Sequence, residues 1–323
     1  MNSKNEYKIN RVDQVEKLLS LIDNNNTIDE IDKVNEKNKV LDALFSDTNK
    51  KNGIYNINGS SDDFHNLSIS ALTIDGDYQL AFQVAVAGLQ LHQFNTDLLA
   101  DAIRYGNKCQ DIDTCYTYFN TLKKIEYQKW TWRAFSFSID FLLETLSNLD
   151  SISFNSTVSE IEKISENYLK YYITDDSYFC KSKVFASQGN RDAEQKILQE
   201  ALEKVTYCTK CWLKLADLYI DNGDFKHAKI YVSYLRKTPN SKSDVNLAYV
   251  YYLDGLCKLK EMLDKDDYPE IEVRNAYNSF KRALFHHSAN QNLKQSIIDD
   301  IEQLQFESFY QCPFDYKHIS TAD

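Results

Sequence analysis

The stretch WLKLADLYIDNGDFKHAKIYVSYL at 212–235 constrains the fold more than any other part of the chain. Apolar residues recur at helical spacing on either side of Asn222-Gly223-Asp224, so two amphipathic helices double back on each other through a tight turn. Such a hairpin has an apolar face that it cannot bury alone. It needs a separate core to lie on, or another hairpin like itself.

The chain supplies further hairpins. Gly189-Asn190-Arg191 stands one fixed step upstream of Gly223-Asp224-Phe225, and the same step carries Trp212 onto Tyr178 and Leu235 onto Ala201. Farther upstream, Gly76-Asp77-Tyr78 is followed by Ala81 and Ala85. Cys115 lies the same step beyond Ala81, and Phe119 and Leu122 repeat the positions of Ala85 and Gly88. AYNSFKRAL at 276–284 has the same small–large–small pattern. Ala201, Ala228 and Ala283 are expected to let helices approach closely, while Trp212 and Tyr219 fill the space between layers. Gly223 supplies the backbone freedom that ends its helix within a short turn.

Composition points the same way. Eight glycines and three prolines in 323 residues are too few for the turns of an all-β chain or the loops of a parallel α/β one. With 43% hydrophobic and 13% aromatic residues there is ample material for a folded interior. The expectation is a mainly helical protein.

These units resemble the tetratricopeptide repeat, a helix-turn-helix unit of about 34 residues, which is the step observed here. Residues 209–242 carry the resemblance best, through Trp212, Leu215, Ala216, Tyr219, Gly223, Phe225, Ala228 and Pro239. Residues 175–208 match through Tyr178, Phe185, Gly189, Ala201 and Leu202, and 62–95 match mainly in their second helix. Two units depart from the pattern. Residues 130–174 are overlong, with their first helix read as extended through TWRAFSFSIDFLLETL. Residues 243–290 are overlong as well, with DKDDYPEIEVR read as an insertion between helices. The resemblance covers roughly 62–290 and implies an all-α, right-handed α-solenoid of about six antiparallel hairpins, with 291–308 as a C-terminal capping helix.

Three segments follow from this reading. Residues 1–60 are polar, with short helices expected near 11–23 and 28–46, where Val15, Leu18, Leu19 and Ile22 recur at helical spacing, and a linker after Phe45. Residues 61–308 form the repeat domain, and 309–323 form a tail.

Residues able to do chemistry are sparse. Cys208 and Cys211 in CTKC have the spacing of a zinc or redox pair. A zinc site needs two further ligands, no second close pair exists, and a thioredoxin-type centre needs a βαβ setting. Packing in the turn between two repeats is therefore expected of them. The seven scattered cysteines are read as free thiols in a reducing compartment, and a cytoplasmic location is expected. His92 and His286-His287 fall at helix ends, where histidine complements the dipole. Asp266-Asp267 and Asp299-Asp300 are read as solvated. No phosphate loop, dinucleotide fingerprint, nucleophile elbow or metalloprotease motif is present, so no catalytic residue, metal or cofactor is expected.

A net charge of −11 disfavours nucleic acid and anionic membranes as partners, and no run of about 18 apolar residues suggests a membrane span. In the resembled family the first helix of each hairpin lines a concave groove. Its positions fall here on Asn66, Ser70, Arg104, Lys108, Phe179, Lys183, Leu213, Lys214 and Asp217. Trp130 and Arg133, in YQKWTWRAFSFSIDF, are read either as part of a core helix or as anchors reaching that groove. The family's clamp for a peptide's terminal carboxylate is not reproduced, because Lys183 stands where Asn is needed and Phe179 where Lys is needed. The expectation is a non-catalytic module that holds a peptide or protein segment. The alternatives are a peptide-responsive regulator or a reader of RNA.

Overall fold

The computed structural model describes residues 12–23, 30–44, 50–51, 54–55, 57–75, 78–149, 151–238, 244–286 and 291–308. Gly76, Asp77, Pro239, His287, Cys312 and the 309–323 tail lie outside them. Contacts divide the chain into two compact units, Met1–Tyr171 and Tyr172–Asp323.

The first unit begins with α1 (Val12–Asp23) and α2 (Glu30–Leu44), which pack on each other and on α3 (Ser61–Asp75). Val15 and Leu19 of α1 are buried, and the Val12 amide donates to the Asn58 carbonyl at 3.1 Å. Within the stretch read as a linker, β1 (Lys50–Lys51) and β2 (Ile54–Tyr55) form a short antiparallel pair. Three hairpins follow: α3 with α4 (Tyr78–Leu91), α5 (Thr96–Lys108) with α6 (Ile112–Leu122), and α7 (Trp132–Thr145) with α8 (Ser151–Tyr171). Their first helices pack in series, α3 on α5 and α5 on α7. A Cβ on Gly88 of α4 would stand 2.8 Å from the Phe64 Cβ and 2.9 Å from the Leu98 Cδ1, so only glycine allows this close contact with α3 and α5.

The second unit has three hairpins and a final helix. These are α9 (Asp175–Ser187) with α10 (Arg191–Lys204), α11 (Thr209–Asp221) with α12 (Phe225–Lys237), α13 (Asp244–Lys265) with α14 (Glu270–Phe285), and α15 (Gln291–Ser308). Here too the first helices pack in series, α9 on α11, α11 on α13 and α13 on α15. Leu293, Ile297, Ile301 and Leu304 of α15 close a core with Val273, Tyr277, Phe280 and Leu284 of α14. Within each unit the hairpins stack as in an α-solenoid.

Both overlong units are built differently from their sequence readings. In 130–174 the first helix is of ordinary length, 14 residues, and the excess lies in the 21-residue α8. In 243–290 most of DKDDYPEIEVR is helical. α13 runs on to Lys265, over 22 residues, and α14 starts at Glu270, so the insertion lengthens helices instead of making a loop. Extending a helix satisfies backbone groups that a long loop would leave to solvent.

The hairpin turns share one device. Gly189 and Gly223 sit at φ +71° and +72°, and the Asn190 and Asp224 amides reach back to the Phe185 and Tyr219 carbonyls at 3.0 and 2.8 Å. Asn190 and Asp224 then cap the next helix through their side chains. Between α5 and α6 the left-handed position is held by Gln110, at φ +61°, ahead of the capping Asp111. Gln110→Gly is therefore expected to stabilise the chain by about 0.5–1 kcal/mol, and Gly223→Ala to destabilise it by about 1–2 kcal/mol. Urea midpoints of the two variants check both signs.

Candidate functional site

The expected groove residues divide between the units. In the first unit Asn66 is exposed on α3, and Arg104 and Lys108 are exposed on α5. The Arg104 guanidinium lies over the Phe137 ring at 4.7 Å, and the Lys108 Nζ is 3.1 Å from the Glu144 Oε1. Arg133, at the start of α7, stacks on Trp132 at 4.9 Å and faces Asp97 at 3.8 Å. Lys108 and Arg133 thus have acidic neighbours, whereas Arg104 keeps its charge over an aromatic ring.

Behind them lies a buried polar contact between α3 and α5. His65 Nδ1 is 2.5 Å from an Asp101 oxygen, and the Ser68 hydroxyl donates to the same oxygen at 3.1 Å. Burial pushes the Asp101 carboxyl upward, while the bonds from His65 and Ser68 oppose the shift.

Trp130 is a correction to the sequence reading. It is 1% exposed, its Nε1–H donates to the Ile125 carbonyl at 3.0 Å, and its ring packs on Tyr127 and Phe135. It has no surface left for a partner. The neighbouring Trp132 is the exposed one, at 42%.

In the second unit the expected residues come together. Phe179 of α9, Leu213, Lys214 and Asp217 of α11, and Tyr249, Tyr252 and Leu253 of α13 line a cleft of about 380 Å³, with Lys210 at its edge. Phe179 is flanked by two ammonium groups, Lys183 at 4.7 Å and Lys210 at 6.0 Å from its ring centre. Lys210 pairs with Asp176, and Lys214 lies 3.4 Å from Glu194 and 3.5 Å from Asp217. The cleft therefore has an aromatic and aliphatic floor with charges that balance at its rim. Burial, together with the hydrogen-bonded Asp300 carboxylate, pushes the Tyr252 phenol upward. Asp300 thus has a partner and is not simply solvated.

The three α13 residues escaped the sequence reading. Leu213 follows Phe179 by the repeat step, but Tyr252 follows Leu213 by a longer one. A fixed period steps past them. The dense apolar run LAYVYYL at 247–253 was the available signal.

Glu194 was missed as well. It is fully buried on α10, between Arg191, with a contact of 3.3 Å, and Lys214. Lys214 is thus a structural partner as much as a cleft residue. His92 donates to the Gly59 carbonyl at 2.9 Å, and His286 stacks on Tyr251. Among the described residues, no group of three or more His, Cys, Asp or Glu is placed to hold a metal ion, and no helix is long and apolar enough to cross a membrane.

No family model matches the sequence, and no curated protein matches it. Solved structures do match its fold. A tetratricopeptide repeat protein from Parabacteroides merdae aligns with a TM-score of 0.58 at 14% identity, over 91% of this chain and 98% of that one. A chain of the APC/C hetero-tetramer Cut9–Hcn1 aligns with a TM-score of 0.50 at 14% identity, over 91% of this chain and 54% of that one. The stacked hairpins, the left-handed glycine turns and these likenesses agree that the chain has the all-α fold of the tetratricopeptide repeat proteins.

Proposed function

We propose that the protein is a non-catalytic interaction module that holds a peptide or protein segment against the first helices of its second unit. The cleft of Phe179, Leu213, Tyr249, Tyr252 and Leu253 carries this reading. Clustered aromatic and aliphatic side chains on three rigid helices suit burial of a partner's apolar side chain, with lysines at the rim to fix its orientation. The pairing of those lysines with Asp176, Glu194 and Asp217 speaks against RNA, which needs uncompensated positive charge along its backbone. Membranes are not expected partners, and a cytoplasmic setting remains the expectation. By analogy, the similar fold in the APC/C hetero-tetramer belongs to a protein assembly, which supports a protein partner here.

Selection of a random peptide library on the purified protein tests the reading. Selected peptides are expected to share a large apolar residue and to lose at least about tenfold in affinity on Leu213→Asp, the worth of one buried anchor. Arg104→Glu, in the other unit, is expected to leave their affinity unchanged. Circular dichroism melts establish that both variants fold. Peptides that bind Leu213→Asp as well as the parent protein, or a library that yields no binder while single-stranded RNA binds, sink the reading.

A further inference from the structure

Among helices α9 to α12, one N-terminus is built differently from the rest. α9, α10 and α12 are capped by side chains of their own N-cap residues, Thr174, Asn190 and Asp224, but the N-cap residue of α11, Cys208, makes no such bond. Its first turn is held from the neighbouring hairpin instead. The Asp175 carboxylate of α9 accepts the Lys210 amide at 2.8 Å and the Cys211 amide at 3.0 Å. The side chain that would have capped the helix from within is a thiol, which donates instead to the Ala201 and Val205 carbonyls, and a second thiol, that of Cys211, stands three residues on.

We propose that Cys208 and Cys211 form an oxidisable dithiol, a modification site at which a low-molecular-weight disulfide such as oxidised glutathione converts the two thiols into an intrachain disulfide. Geometry is the main support. Cys208 and Cys211 hold the N-cap and third positions of α11, the places at which the Thr174 and Ser177 side-chain oxygens of α9 lie 3.4 Å apart, and Cys208, at φ −112° and ψ 57°, lies outside the helical backbone and is free of the spacing that α11 imposes on its own residues. At the N-cap of α11 the helix dipole favours a Cys208 thiolate, opposed by the Asp175 carboxylate that holds the Lys210 and Cys211 amides. Accordingly the Cys208 thiol is pulled downward, first by its hydrogen bond from Cys211, while that bond and burial push Cys211 upward. By contrast, burial drives the thiols of Cys115 and Cys257 up, to about 12 and about 11. Both members of the pair are fully buried, so an oxidant reaches them by local opening of the first turn of α11, which follows the exposed Thr206 and Tyr207.

The chemistry balances. The Cys208 thiolate attacks one sulfur of glutathione disulfide, whose S–S bond breaks, and the first glutathione leaves as a thiolate that takes up the proton Cys208 gave. Cys211 then loses its proton and attacks the Cys208 sulfur of the mixed disulfide, releasing the second glutathione as a thiol. The protein loses two hydrogens, and the oxidant is reduced to two thiols. On oxidation Cys208 gives up its contacts to the Ala201 and Val205 carbonyls, and Cys211 its contact to the Asp175 carbonyl, at the joint of α9, α10 and α11. The proposal does not depend on what the cleft binds.

The full chain is incubated with oxidised glutathione under conditions where circular dichroism shows it folded, blocked with iodoacetamide and digested with trypsin. Cleavage after Lys204, Lys210 and Lys214 places Cys208 on peptide 205–210 and Cys211 on peptide 211–214, so the disulfide joins two otherwise separate peptides. The linked pair is expected after oxidation, with the two separate peptides returning, now alkylated, after dithiothreitol and fresh iodoacetamide. In Cys211→Ser, glutathione is expected to remain on Cys208. The proposal is overturned if both peptides come back alkylated while the half-buried Cys109 carries glutathione. It is overturned equally if the pair links only after urea is added, or if either cysteine links elsewhere.

Discussion

Trp130→Ala is expected to destabilise the first unit by about 3–5 kcal/mol, whereas Trp132→Ala is expected to cost less than about 1 kcal/mol. The two tryptophans are near neighbours in the chain and differ only in environment. Trp130 is 1% exposed and Trp132 42% exposed. Truncating Trp130 leaves a large cavity between Tyr127 and Phe135, whose ring in turn stacks on Tyr168 of α8 at 5.1 Å with only 4° between planes. It also strips the Ile125 carbonyl of the indole donor. Trp132 lies on the surface under Arg133, where its loss removes a cation–π contact and little burial. Urea unfolding in a Trp212→Phe background, followed by fluorescence of the tryptophan that remains in the first unit, separates the two. Equal and small losses for both variants would mean that Trp130 is not the packing centre the structure makes it.

Lys214→Met is expected to destabilise the second unit by about 2–3 kcal/mol, because it leaves the carboxylate of Glu194 buried with less compensation. The figure is below that for a fully enclosed pair because Lys214 keeps 27% exposure and Arg191 still reaches the other Glu194 oxygen. Adding Glu194→Ala is expected to recover most of that loss. Glu194 stands one repeat step before Ala228, and both are fully buried, so alanine at 194 restores the small residue that the next hairpin uses at the same place. A double-mutant cycle from urea midpoints is expected to give a coupling of about 1–3 kcal/mol, and additivity within about 0.5 kcal/mol would refute the pairing. Lys214 also lines the cleft. A binding defect in a Lys214 variant therefore has no meaning until its stability is known.

The helices themselves were written in local pattern. Helical spacing of Val15 and Leu19 marked α1, the regular step from Gly189 to Gly223 marked two hairpin turns, and Ala201 and Ala228 marked two close contacts. These are properties of neighbouring residues along one chain, and period and turn chemistry are enough to read them. Local pattern misjudged where the overlong units put their extra residues, since a polar insertion such as DKDDYPEIEVR reads as loop and yet prolongs helices once their apolar faces pack.

The candidate site was legible only as far as the period held. Phe179, Leu213, Lys214 and Asp217 fall on it, whereas Tyr249, Tyr252 and Leu253 sit on a helix that the longer spacing displaced. Periodicity marks which face of a helix is apolar but not what stands opposite each residue. Tertiary structure alone decided that Trp130 faces the core and Trp132 the solvent, that Lys214 answers Glu194 from the next hairpin, and that Asp175 of α9 caps α11 at Cys208. The last two depend on contacts between residues far apart in sequence, and the first on the stacking of Phe135, beside Trp130, against Tyr168, and those distances are set when the helices pack.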